Sequence, residues 1–274
     1  MRKVVAAFGL VGAVCFRAFI AFAILRLIAA IKRQPVNLWQ RKRAFSVVGA
    51  TTVAGQLIGL SYATQTIGTA MTAILAAGIP LFAALIGHVW GIEKIRWGRA
   101  VGLFLGIIGI ILLVGFPPFT MHLAFFLGCT SALGGALCSA IGSNYASVRL
   151  KDESPNDITM GAFLSGGLWT LPLLLVSPVI VSPGLKDYAN LLVLSALMSA
   201  LAYVLYFRLV ATIGATRAVS VEFAVTIVAI IVGTAFLGES LTAMQGFGTA
   251  IIIVGCALVL ELLPWKKDQP SAVS

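Results

Sequence analysis

Apolar residues run along this chain in long unbroken blocks, with neither the alternation of a half-buried strand nor the one-sided stripe of a surface helix. The blocks lie at about 11–31, 44–64, 69–90, 98–115, 122–147, 158–181, 189–213, 217–238 and 244–263. Each approaches or exceeds the roughly 20 residues that a helix needs to cross a hydrocarbon core of about 30 Å. The pattern therefore predicts an all-α polytopic membrane protein with nine visible helices and short loops. A β-barrel is excluded, because its strands would alternate apolar and polar positions. Met1-Arg2-Lys3 before an apolar run imitates a signal peptide, but the run continues past Arg17 to Ile31 with no small-x-small site and no polar mature domain after it.

Composition sharpens this picture. Of 274 residues, 60% are hydrophobic and only 10% charged, with mean hydropathy +1.05. Soluble domains carry about 25% charged residues, so a soluble enzyme, a disordered chain and a secreted disulfide scaffold are all excluded. The net charge of +10 would suggest nucleic acid in a soluble protein. Here the positive residues occupy alternate loops: Lys32, Arg33, Arg41, Lys42 and Arg43, then Lys94, Arg96 and Arg99, then Arg149 and Lys151, then Arg217, then Lys266 and Lys267. The intervening loops hold only Lys186. The charge thus reports topology, with no nucleic-acid partner, and the positive-inside rule places the C-terminus in the cytoplasm. With nine helices the N-terminus would lie outside. Cys15, Cys129, Cys138 and Cys256 all fall inside apolar blocks without CxxC or His partners. They read as small packing residues, with no metal site and no disulfide.

An offset of 146 residues brings Gly68 onto Gly214, Ala83 onto Ala229, Gly87 onto Gly233, Glu93 onto Glu239, Gly102 onto Gly248 and Gly109 onto Gly255. The apolar blocks stay in register over four helices, which indicates a duplicated unit. The second half holds five helices, an odd number, so the halves must cross the membrane in opposite senses. The expected organisation is two inverted five-helix repeats, 1–115 and 116–265, followed by a cytoplasmic tail at 266–274. The block at 122–147 maps upstream of residue 1, so the first repeat reads as lacking its first helix. Residues 1–10 are then expected to form a short outer connection.

Four stretches carry a family likeness. They are Arg17-Ala18-Phe19 near a helix start, Pro80 and Glu93 within AGIPLFAALIGHVWGIEK, SALAYVLYFRLVATIGATRA at 199–218, and GTAFLGESLTAMQGFGTAIIIVG at 233–255. Together they resemble the EamA-type drug/metabolite transporter superfamily. The resemblance implies ten helices in two inverted halves, both termini inside and a central cavity. It also implies secondary transport of a small metabolite, amino acid or drug across a bacterial inner membrane by alternating access, with export preferred. This sequence departs in lacking the first helix, in carrying Thr226 where the first half has Pro80, and in Glu222, an acid in an apolar stretch. No Walker loop, HExxH, GxSxG or paired catalytic carboxylates occur. The reading is therefore of a non-enzyme without cofactors, whose partners are the bilayer, a small-molecule substrate, protons as a candidate coupling ion, and a second copy as a candidate dimer. A lipid-modifying membrane enzyme and a non-transporting or channel-like subunit of the same fold are the competing classes.

Charges inside spans are the sharpest site pointers, since each costs about 2.5–3.5 kcal/mol at the bilayer centre. Glu222 lies about 7.5 Å inside its helix, where it suits proton coupling, a substrate amine or a structural ion pair with Arg208 at similar depth. Arg17, in the opposite half of the membrane, suits either a substrate carboxylate or a bond to a neighbouring helix; Arg26, nearer a helix end, reads as snorkelling. Glu93 and Glu239 sit where one helix ends and the next begins and read as structural caps. His88 has no metal-ligand spacing. Pro80 kinks its helix, as a cavity hinge or as a packed bend. Gln56, Tyr62, Asn144, Trp169, Tyr203 and Tyr206 are polar or amphipathic groups at membrane depth, and read as cavity lining or as interhelical bonds. The pairs Gly55/Gly59 and Gly102/Gly106 allow close helix approach, and the second pair also suits a dimer face.

Overall fold

A backbone in hydrocarbon must satisfy its own hydrogen bonds, and a continuous apolar block does so by coiling into a helix. The computed structural model describes residues 2–92, 97–115, 123–176, 183–218, 225, 228–229, 231–238 and 242–259. The main helices are α1 (Arg2–Phe8), α2 (Leu10–Ile31), α3 (Lys42–Thr66), α4 (Thr69–Val89), α5 (Trp97–Gly115), α6 (Leu123–Arg149), α7 (Pro155–Leu175), α8 (Leu185–Ile213) and α9 (Ala243–Val259). Six of these (α2, α3, α4, α6, α7 and α8) are long and apolar enough to cross a membrane, and there is no strand among the described residues. The chain is an all-α polytopic membrane protein.

Helix ends follow local chemistry. Gly68 (φ 85°, ψ 172°) and Gly214 (φ 85°, ψ 161°), equivalent under the offset of 146, break the chain in one left-handed conformation that a side chain would strain. Ser154 caps α7 by accepting the Asp157 N–H at 3.1 Å. Thr242 and Gln245 cap α9 reciprocally: the Thr242 N–H donates to Gln245 Oε1 (3.0 Å) and the Gln245 N–H to Thr242 Oγ1 (3.2 Å). α4 turns at Ala77–Gly78, and Pro80 opens its second segment, where a missing N–H is tolerated. The carbonyl of Ala77 at this break accepts the Cys256 thiol at 3.2 Å, so the bend is packed against α9.

Residues 2–8, in the stretch expected to form a short outer connection, are helical. Their Val-Val-Ala-Ala-Phe run buries Val4, Val5, Ala7 and Phe8 against Leu191 and Ala13. Gly9 (φ 73°) then redirects the chain into α2. The block at 217–238 is described only in part, and Glu93, Glu222, Thr226 and Glu239 lie outside the described residues.

Small residues bring the helices together, as packing within a bilayer requires. α3 crosses α7 at Gly49 and Gly166, and it crosses α6 where Ser131 Oγ donates to the Gly59 carbonyl at 3.0 Å. α5 and α9 run antiparallel along each other. A Cβ on Gly102 would lie 2.5 Å from the Gly255 carbonyl oxygen, and one on Gly109 would lie 2.9 Å from that of Gly248. The offset carries Gly102 to Gly248 and Gly109 to Gly255, so it exchanges these two contacts with each other. A two-fold relation between α5 and α9 has this property. Gly102 is thus occupied within the chain.

Candidate functional site

Both α3 and α8 contain a π-helical turn, over Gly49–Gly55 and Leu194–Leu201. The offset of 146 carries the first onto 195–201, so the irregularity is duplicated. A π-turn interrupts the i→i−4 ladder and directs carbonyls toward neighbouring elements, and such turns recur at functional sites. Here the same carbonyl is taken in each half. Thr52 O accepts from Tyr203 Oη at 3.1 Å, and Met198 O, its equivalent under the offset, accepts from Arg17 Nη2 at 3.2 Å.

Arg17 projects from α2 and is 7% exposed. Its Nε donates to Ser199 Oγ in the π-turn of α8. This two-pronged grip spreads the guanidinium charge over a hydroxyl and a carbonyl, which lowers the cost of holding it at depth. The opposite half has no such charge. The offset maps Arg17 to Phe163 and Ser199 to Val53, both members of one apolar cluster, so apolar residues stand at the positions equivalent to the polar pair. Phe163 meets the edge of Tyr203 at 4.9 Å between ring centroids. Arg17, Phe163, Tyr203 and the two π-turns therefore form one cluster where α2, α3, α7 and α8 cross.

A turn further along α8, Tyr206 Oη lies 2.8 Å from Ser143 Oγ on α6. Neighbouring Asn144 is buried and donates to the carbonyls of Ala83 on α4 (3.1 Å) and Ala140 (3.0 Å), tying α6 to α4 beyond the Pro80 bend. Gln56 and Tyr62 lie half-buried on α3 after its π-turn. Trp169 is 56% exposed and donates Nε1–H to Ser46 Oγ at 3.0 Å. Arg208 is exposed, and its suggested partner Glu222 is outside the described residues. The structure thus joins Arg17 with Tyr203, and Tyr206 with the neighbourhood of Asn144.

Thr52, Met198, Ser199 and Ser143 take part without having been singled out by sequence. Each small hydroxyl looks unremarkable in an apolar run, although Thr52 and Met198 do share the offset of 146. Two cavities are lined by other residues. One of about 400 Å³ is lined by Phe8, Phe16, Phe19, Ile20, Pro183, Tyr188 and Leu191. The other, of about 460 Å³, lies among Arg and Lys side chains at the ends of α3 and α6. Among the described residues no group of His, Cys, Asp and Glu is arranged to hold a metal.

Comparison with known proteins places this geometry. The model of the EamA-like transporter family matches residues 1–115 and 126–261. The uncharacterized transporter YvbV of Bacillus subtilis (strain 168) is 28% identical over 220 residues, covering 74% of this chain and 68% of that protein. The WAT1-related protein At3g02690, chloroplastic, of Arabidopsis thaliana is 28% identical over 282 residues, covering 94% of this chain and 64% of that protein. The uncharacterized inner membrane transporter YedA of Escherichia coli (strain K12) is 25% identical over 205 residues, covering 71% and 63%. A crystal structure of a protein shares the fold with a TM-score of 0.66 at 16% identity, over 94% of this chain and 90% of its own. With its exchanged helix contacts, its apolar spans and a match over nearly its whole length, the chain belongs to the EamA-like transporter family.

Proposed function

We propose that the chain is a secondary active transporter that exports a small amphipathic metabolite, amino acid or drug across a bacterial plasma membrane, with its C-terminus in the cytoplasm. One half rocks against the other around the crossing of α2, α3, α7 and α8. The observation that carries this reading is the pair of equivalent π-turns at that crossing, each with its turned-out carbonyl held by a side chain from another element. Broken ladders at the junction of inverted halves supply both binding groups and hinges in transporters. Family membership supports a bilayer setting and a small-molecule cargo.

In this scheme Arg17 offers its guanidinium to an anionic group of the substrate, exchanging it for the Met198 carbonyl. Tyr203 and Tyr206 supply aromatic faces and hydroxyls, with Gln56, Tyr62, Asn144 and Trp169 as further polar contacts along the path. Glu222 supplies a titratable carboxylate for proton coupling. The test is flux in proteoliposomes made with the full chain. Saturable uptake driven by an imposed pH or substrate gradient supports the proposal. Flux that never saturates means a channel, and no flux with any amphipathic substrate means a non-transporting subunit.

A further inference from the structure

We infer that the cavity between the start of α3 and the end of α6 is a binding site for the phosphate of an anionic membrane lipid. The cavity, about 460 Å³, is lined by Trp39, Gln40, Arg41, Lys42, Arg43, Ala44, Tyr145 and Arg149. That volume falls within the range of about 300–1,000 Å³ typical of small-ligand sites. Its cations have two different roles. Arg41 is a strut: its Nη1 donates to the Arg149 carbonyl at 2.8 Å, its Nε lies 3.2 Å from Glu153 Oε1, and its Nη2 lies 3.9 Å from Asp152 Oδ2. It thereby ties the loop before α3 to the loop after α6 and uses the nearby carboxylates. Lys42, Arg43 and Arg149 have no carboxylate partner among the described residues.

Lys42, Arg43 and Arg149 are exposed around one cavity, so their charges sum to a local positive potential that attracts an anion. The wall is preorganised, because Val36 and Leu38 of the loop pack into the core and Tyr145 stacks edge-on against Trp90 at 6.5 Å. Lys42 Nζ stands 5.4 Å over the Trp39 ring, which holds the ammonium at the rim. Guanidinium forks on Arg43 and Arg149 suit phosphate oxygens, and the Tyr145 hydroxyl offers a further donor. Position selects the source of the phosphate. Lys42 is the first residue of a 25-residue spanning helix and Arg149 the last residue of a 27-residue one, so the cavity opens at the boundary where those helices leave the hydrocarbon. Trp39, 80% exposed beside it, is the residue type that anchors at that interface. The phosphates of lipids lie at this level, and basic pockets between spanning helices hold them.

The experiment titrates the purified full chain in detergent with dioleoyl-phosphatidylglycerol and with dioleoyl-phosphatidylcholine, and counts bound lipid by native mass spectrometry. The anionic lipid should bind at least tenfold more tightly. Each surface cation contributes about fivefold. The triple variant K42Q/R43Q/R149Q should therefore lose the preference, by up to about 100-fold. R43K/R149K should keep most of it. K32Q/R33Q, which removes two cations from the end of α2 outside the cavity, should leave it unchanged. Should the triple variant not fold, R149Q and Y145F carry the test, each with a loss of a few-fold. Equal loss in K32Q/R33Q, or an undiminished preference in the cavity variants, overturns the site. Displacement of the lipid by micromolar glycerol phosphate overturns the lipid as ligand in favour of a soluble phosphate ester.

Discussion

Replacing Gly255 by Ala should loosen the α5–α9 seam, and its cost can be worked from the geometry. The added methyl carbon would stand 2.7 Å from the Gly102 carbonyl oxygen and 2.7 Å from the Gly106 nitrogen, both backbone atoms that cannot swing aside. Restoring ordinary contact needs a separation of roughly 0.7 Å, and a gap of that size forfeits about a quarter to a half of the dispersion energy of every atom pair it opens. Overpacking of this kind costs about 1–3 kcal/mol. Gly→Ala also carries a helix-propensity gain of up to about 1 kcal/mol, so the comparison must remove that term. Gly246, on the same helix, has nothing within 4 Å of its Cβ position. The difference between G255A and G246A therefore isolates the seam and should be about 1–3 kcal/mol. The exchange of contacts adds a second demand: G109A, whose methyl would meet the Gly248 carbonyl at 2.9 Å, should cost nearly as much as G255A. Reversible unfolding in mixed micelles, followed by circular dichroism, measures all three. If G255A and G246A agree within about 0.5 kcal/mol, the ordinary additivity error, the argument from close approach fails.

Three further outcomes are expected. R17A leaves the Met198 carbonyl and Ser199 hydroxyl buried without the guanidinium, so it should destabilise by about 1–3 kcal/mol and abolish most flux; wild-type melting and flux in this variant would refute both roles. Y203F keeps the ring against Phe163 but removes the donor to the Thr52 carbonyl, and should cost about 1 kcal/mol in the same unfolding assay, whereas unchanged stability would show that bond to be dispensable. E222Q should flatten the dependence of proteoliposome flux on pH, and an unchanged profile and rate would exclude Glu222 as the coupling carboxylate.

Hydropathy located the spans well because a bilayer leaves the backbone so little choice. The block at 44–64 became Lys42–Thr66 and that at 189–213 became Leu185–Ile213. The offset of 146 was visible through Gly102, Gly109, Gly248 and Gly255, since close backbone approach leaves glycine little substitute. What stayed hidden were features that depend on partners far along the chain. Arg17 stood out by charge, yet nothing local names Ser199, 182 residues away, as its partner. The π-turns were invisible because Gly-Ala-Thr-Thr-Val-Ala-Gly and Leu-Ser-Ala-Leu-Met-Ser-Ala-Leu share a geometry without sharing a pattern. The helix at residues 2–8 was missed because its stability comes from Phe8 meeting Phe16 and Tyr188, not from its length.

That Arg17 and Ser199 have the apolar Phe163 and Val53 as their equivalents under the offset has a thermodynamic consequence. A duplicated molecule with identical halves has two extreme states that are related by the two-fold exchange, and hence degenerate in free energy. For the rocking motion proposed here, a charged latch on one side and an apolar contact on the other lift that degeneracy. An imbalance of only about 1.4 kcal/mol makes one state tenfold more populated. The empty carrier then has a resting side, and substrate must overcome that bias by binding the disfavoured state more tightly. A difference between the two halves thus changes the apparent affinity for substrate on the two sides, while the gradients alone set the direction of net flux.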